Sequence, residues 1–207
     1  VTSVGERNDF SAAVSEAWGR FFRELLPQLD FRRAGDLYLQ RLRMIASQAR
    51  YVIDKNPQNL FNVPLILQAL PNARVLCLRR DPMDACFSNL KELFQGAAYP
   101  YSYALDDLAE HCLRVRRWME HWESAAPQSV RVVDYEDIVQ DPGAAIAAVL
   151  DFVGLEMQGG LHEITRNSAP VSTASSSQVR ESIHARGIGA WQRYEQQLQP
   201  LRARLGA

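Results

Sequence analysis

Along this chain apolar positions recur at helical spacing over long stretches, separated by short unbroken apolar runs. Phe10, Val14, Trp18, Phe21, Phe22 and Leu25 repeat at intervals of three and four and predict a helix over 9–26, with Asp9 as its cap and Pro27 ending it. A second helix is expected over 31–49, with Leu37, Leu39, Leu42 and Ile45 as core candidates. Tyr51-Val52-Ile53 reads as a short strand stopped by Asp54-Lys55-Asn56-Pro57, and residues 60–70 as a largely apolar helix. Val75-Leu76-Cys77-Leu78 is an unbroken apolar run flanked by charge, the pattern of a strand buried on both faces of a parallel sheet. It stops at Arg79-Arg80-Asp81-Pro82, where Asp81 suits an N-cap and Pro82 the first position of a helix running to about residue 93.

Residues 95–102 read as a loop. Residues 105–122 form the clearest amphipathic helix, with Leu105, Leu108, Cys112, Val115, Met119 and Trp122 on one stripe. Val130 to Val133 is expected to be a strand ending in Asp134-Tyr135-Glu136-Asp137, and residues 143–153 a helix closed by Gly154. Residues 172–178 are a Ser-rich loop, and a last helical segment carries Trp191 and Tyr194.

Three or more strands alternating with helices predict an α/β fold with a parallel sheet and helices on both faces. Ligands of such sheets sit beyond the carboxyl ends of the strands. Those ends carry Lys55, Arg80 and Tyr135, two cations and a phenol that point to an anionic ligand. Ser88 follows Arg80 by about two helical turns, and Asp84 between them is a candidate for holding Arg80 in place. The plainer reading of each is that a charged residue at a strand end marks the chain reaching solvent. Arg79 is read that way, and Tyr135 taken alone is a packing residue.

Composition narrows the function. The 207 residues hold 23 Lys and Arg against 24 Asp and Glu, a net charge of −1, with 47% hydrophobic residues. This is a globular composition. Its charge balance argues against a dedicated nucleic-acid-binding module but says nothing about a local basic pocket. Three scattered cysteines make neither a disulfide scaffold nor a zinc cluster, and read as reduced thiols of a cytoplasmic protein. The four histidines lack metal-ligand spacing, so no metal is expected, and no apolar run is long enough to span a membrane. No G-x-S-x-G, G-x-G-x-x-G or G-x-x-x-x-G-K-[ST] motif occurs, and Gly187-Ile188-Gly189 reads as a turn.

Several segments, in order along nearly the whole chain, carry a family resemblance. They are Val4-Gly5-Glu6, Ile53-Asp54-Lys55-Asn56-Pro57, Leu70-Pro71-Asn72-Ala73-Arg74, the Arg-x-x-x-Asp-x-x-x-Ser of Arg80, Asp84 and Ser88, then Asp134-Tyr135-Glu136-Asp137, Ser175-Ser176-Ser177-Gln178-Val179 and Trp191-x-x-Tyr194-Glu195. Together they resemble the sulfotransferase superfamily, in particular its bacterial tetratricopeptide-associated, tyrosylprotein-sulfotransferase-like group. The resemblance implies a P-loop-NTPase-like three-layer α/β/α fold. It also implies transfer of a sulfuryl group from 3′-phosphoadenosine-5′-phosphosulfate (PAPS) to a hydroxyl or amine of a small-molecule or peptide acceptor, leaving 3′,5′-adenosine bisphosphate.

By the same resemblance Arg80 and Ser88 hold the cofactor's 3′-phosphate, and Tyr135 and Ser176 belong to its pocket. Lys55 stabilises charge on the sulfuryl group and leaving phosphate, and Glu6 deprotonates the acceptor. Two departures from the family pattern stand out. The strand, Pro-Arg-Ser-Gly-Thr-type loop and helix that cradle the 5′-phosphosulfate, roughly 30 residues, are expected upstream of Val1, so residues 1–207 read as one N-terminally incomplete domain. Relatives often carry a basic residue just before the Trp, where this chain has Ala190, with Arg186 a candidate to compensate. The competing readings are a nucleotide-dependent phosphotransferase on the same scaffold and a truncated, non-catalytic binding module.

Overall fold

Two short parallel strands open the fold. Thr2–Ser3 (β1) pairs with Val52–Ile53 (β2), Thr2 opposite Val52 and Ser3 opposite Ile53. The computed structural model describes residues 1–18, 30–92, 94, 99–158 and 183–207, and the chain falls into two compact units, Val1–Val75 and Leu76–Ala207.

In the first unit, helices Asp9–Trp18 (α1) and Phe31–Ile45 (α2) lie between β1 and β2, and Val63–Ala69 (α3) follows. Phe10, Ala13 and Val14 of α1 pack with Ala34, Tyr38 and Leu42 of α2 and Ala69 of α3. Residues 34, 38 and 42 are successive i+4 positions and so share one face. The stripe expected on α2 is therefore displaced: Leu42 is buried, but Leu39 and Ile45 are exposed and the small residues Ala34 and Gly35 face the core. The reason is close approach. A Cβ on Gly35 would lie 2.2 Å from the carbonyl oxygen of Ala69, so α2 and α3 meet where no side chain intervenes. Asp30 caps α2 by accepting from the Arg33 amide at 2.9 Å. The helix ends at Ile45, four residues short of the expected end, where the described residues leave its apolar residues exposed, Met44 more than Ile45. The apolar segment expected as one helix over 60–70 divides into a 3-10 turn, Pro57–Asn62, and α3, which starts where Pro64 falls in its first turn.

In the second unit, which takes in all but the first residue of Val75–Arg79 (β3), that strand and Val130–Asp134 (β4) are neighbours. Their last residues, Arg79 and Asp134, meet, as they do when adjacent strands run in the same direction. Pro82–Lys91 (α4) and Leu105–Ala125 (α5) form the crossover between them. Asp81 and Pro82 start α4 as expected, the Asp81 side chain accepting from the Asp84 amide at 2.9 Å. Met83 and Cys86 of α4, Leu108 and Ala109 of α5, and Leu198 and Leu201 near the C-terminus form the core.

β3 departs from a strand buried on both faces. Cys77 is buried, whereas Leu76 and Leu78 are 43% and 58% exposed. Alternation along a strand puts 76 and 78 on the face opposite 77, and the described residues leave that face open. After β4 come Tyr135–Gln140 (α6) and Pro142–Val153 (α7), closed by Gly154 at φ 71°. Among the later segments, 3-10 turns cover Ala185–Gly187 and Ala190–Tyr194, and Gln199–Leu205 (α8) is a helix that the apolar pattern did not single out. Residues 95–98 and the Ser-rich 172–178 lie outside the described residues, while Pro100–Tyr103 makes a 3-10 turn.

Candidate functional site

Two clusters form at strand ends, one in each unit. In the first unit the chain beyond β1 and the chain beyond β2 are stitched together. The Val4 amide donates to the Ile53 carbonyl (2.9 Å) and the Lys55 amide to the Gly5 carbonyl (3.2 Å). The Asn56 side-chain amide donates to the Arg7 carbonyl and the Asn8 side-chain oxygen, both at 2.9 Å. Gly5 makes this path possible with φ 74°, a conformation other residues rarely adopt. The result places the Lys55 ammonium on the Glu6 carboxylate as an ion pair. The two residues that the family resemblance makes catalytic are thus brought together across 49 positions of sequence. Partial burial pulls the Lys55 ammonium below its ordinary value. Asp54, beside Lys55, accepts from the Tyr38 hydroxyl at 2.9 Å. Burial raises its carboxyl, against the hydrogen bonds of Tyr38 and Asn59. Burial likewise raises the Tyr38 phenol.

In the second unit the residues leaving β3 and β4 meet rung by rung. Arg79 makes a two-pronged contact with Asp134, Nε to Oδ1 at 2.6 Å and Nη2 to Oδ2 at 2.8 Å. Arg79 is therefore no strand end reaching solvent: it ties β3 to β4, and it holds the Asp134 carboxyl below the usual carboxylate range. One residue on, the Arg80 guanidinium lies over the Tyr135 ring, 5.0 Å from its centre. One further, the Asp81 amide donates to a Glu136 carboxylate oxygen at 2.9 Å. Tyr135 is the first residue of α6, so its ring leaves the strand end with the backbone already turning.

Arg80 Nη2 donates to the carbonyl of Gly187, while its Nε is buried and has no acceptor among the described residues. A buried guanidinium N–H without a partner is costly, and an anion oxygen is the group whose chemistry satisfies it. Gly187 leaves room for this meeting. A Cβ there would stand 2.9 Å from Arg80 Nη2 and 3.4 Å from the Tyr135 hydroxyl.

Asp84 does not hold Arg80, contrary to the sequence expectation. Its side chain turns to the other end of the same turn, Oδ2 accepting from the Gly189 amide at 2.6 Å and Oδ1 from the Trp191 amide at 3.3 Å. Ser88, one turn further along α4, is half-buried and makes no side-chain hydrogen bond among the described residues. Ser176 lies outside the described residues. Reading the sequence missed Gly187 as a partner of Arg80, although Gly187-Ile188-Gly189 was legible as a turn. Among the described residues no group of three or more His, Cys, Asp or Glu is placed to hold a metal ion, and no helix is long and apolar enough to cross a membrane.

Comparison with known proteins adds three findings. A family model described as "Sulfotransferase family" matches residues 9–159, a span that includes Lys55, Arg80, Ser88 and Tyr135. An uncharacterized protein of Aquifex aeolicus (strain VF5) is 33% identical over 172 residues, 82% of this chain and 23% of that protein, so the chain spans about a quarter of that relative's length. Among solved structures, the sulfotransferase domain from the curacin biosynthetic pathway aligns with a TM-score of 0.48 at 15% identity, over 93% of this chain and 78% of that one.

Proposed function

This chain belongs to the sulfotransferase family, and we propose on that premise that it moves a sulfuryl group from PAPS to a hydroxyl or amine of a small-molecule or peptide acceptor. The observation that carries the cofactor assignment is the buried, unpartnered Nε of Arg80 beside a second guanidinium nitrogen already held by Gly187. That arrangement fits a bound phosphate, here the 3′-phosphate of the nucleotide.

PAPS, when bound, supplies an activated sulfuryl group on a phosphate leaving group. The chain's own residues then divide the work. Arg80 would offer its free Nε donor to the 3′-phosphate, with the Tyr135 ring packed against the guanidinium. Ser88 adds a hydroxyl from α4, and the family resemblance assigns Ser176, outside the described residues, to the same pocket. Lys55 supplies positive charge where negative charge builds on the leaving oxygens. Glu6, held beside Lys55, takes the acceptor's proton as the new bond forms. Lysine and arginine carry the charge stabilisation, so these roles call on no metal. The unpaired cysteines among the described residues fit a cytoplasmic, reducing setting.

Calorimetric titration of the full-length protein with 3′,5′-adenosine bisphosphate tests this. Arg80→Ala removes a hydrogen bond to a charged group, about 1.5–3 kcal/mol, and is expected to weaken binding roughly tenfold to a hundredfold. An unchanged dissociation constant sinks the assignment. Glu6→Gln is expected to keep the affinity and lose most turnover, and near-normal turnover removes Glu6 as the base. A wild-type protein that binds no 3′,5′-adenosine bisphosphate is the result a non-catalytic module would give.

A further inference from the structure

The carboxylate of Asp84 is the most deeply buried charge among the described residues, 2% exposed, and none of the chemistry above uses it. It sits in the first turn of α4, at the edge of the core formed by Met83, Cys86 and Leu108. Burying a carboxylate is costly unless each oxygen is satisfied. Both oxygens are, by backbone amides more than a hundred residues away: Gly189 on one and Trp191 on the other.

Those amides belong to a tight turn. The Ile188 amide donates to the Ala185 carbonyl at 2.9 Å, Gly189 adopts φ 68°, and the Gln192 amide returns to the Gly189 carbonyl at 3.1 Å. The side of the turn that Asp84 does not grip presents the Gly187 carbonyl to Arg80. Beyond the turn, Trp191 packs against the same core as α4.

We infer that Asp84 is a positioning residue for the nucleotide site: by anchoring the Gly189 and Trp191 amides it holds the Gly187 carbonyl against Arg80 and so aims that guanidinium. The chain of contacts is Asp84 to the Gly189 and Trp191 amides, from Gly189 through Ile188 to the Gly187 carbonyl, and on to Arg80 Nη2. Arg80 lies in the link between β3 and α4 and Asp84 in the first turn of α4, four residues on, so the turn is held at two neighbouring points of one short stretch of chain. The inference rests on the proposed function for what Arg80 binds, and on geometry alone for the anchor.

The test uses Asp84→Asn, which keeps the side chain's volume but offers one acceptor oxygen to two amides. Titrated with 3′,5′-adenosine bisphosphate, the variant is expected to lose on the order of tenfold in affinity. Affinity for AMP, which lacks the 3′-phosphate, is expected to hold. Because Asp84 acts through Arg80, the double variant with Arg80→Ala is expected to bind no more weakly than Arg80→Ala alone; a purely structural role would make the losses additive. Hydrogen exchange over 187–191 is expected to quicken. Asp84→Ser, a smaller neutral replacement, stands in where Asp84→Asn does not fold. Unchanged affinity, or additive losses, overturns the positioning role. Where the wild type binds no 3′,5′-adenosine bisphosphate, the proposed function fails and exchange alone decides the anchor: faster exchange upholds it and unchanged exchange overturns it.

Discussion

Gly187 occupies the point where Arg80 and the Tyr135 hydroxyl converge, and what a side chain would do there differs from an ordinary core clash. The nearest atom to an added Cβ is the end of the Arg80 side chain, 2.9 Å away, rather than any backbone. A guanidinium on a flexible stem moves aside at little cost, so Gly187→Ala is expected to displace Arg80 without unfolding the protein. The thermal midpoint should stay within about 2 °C, since a change under ~0.5 kcal/mol shifts a chain of this size little. Affinity for 3′,5′-adenosine bisphosphate should fall several-fold. A variant that binds as well as wild type would show that Arg80 does not need its present position. The Glu6–Lys55 pair obeys a different logic. It is partly exposed, so it contributes little to stability, and under the proposed function its value lies in holding the two side chains next to each other.

Between α2 and α3 the same kind of substitution should behave in the opposite way. The Cβ of an alanine at position 35 would meet the Ala69 carbonyl oxygen at 2.2 Å and its carbon at 3.1 Å, both backbone atoms that cannot rotate away. The helices would have to separate. Overpacking costs about 1–3 kcal/mol, against about 1 kcal/mol gained from replacing a helical glycine. Gly35→Ala is therefore expected to lower the urea midpoint with the slope unchanged. An equal or higher midpoint would mean that the helices are not in contact there. The pairing of β3 with β4 is an element-scale feature too. Arg79 with Asp134 and Asp81 with Glu136 bracket Arg80 and Tyr135, so the two site residues inherit their spacing from the strand ends.

Over the whole molecule, two cores of separate make-up each support a cluster of charged side chains at strand ends, and the near balance of 23 Lys and Arg against 24 Asp and Glu says nothing of either cluster. What the sequence determined by itself is what depends on neighbours within a turn or two. The alternation of strands and helices, Asp81 and Pro82 starting α4, Gly154 ending α7, and Lys55, Arg80 and Tyr135 leaving strand ends were all legible, because caps, periodicity and strand boundaries are local. The end of α2 was not, because Ala46 to Arg50 carry no breaker, and the exposure of Met44 and Ile45 at that end is visible only in the fold. Nor was the choice of Ala34 and Gly35 over Leu39 for the buried face, since that follows from how closely α3 approaches. The partners of charged groups were hidden for the same reason. Arg79 finds Asp134 55 residues away, Asp84 finds Gly189 105 away and Arg80 finds Gly187 107 away. Each charge announced itself in the sequence, but which polar group would satisfy it was decided only when packed elements brought distant backbone within hydrogen-bonding reach.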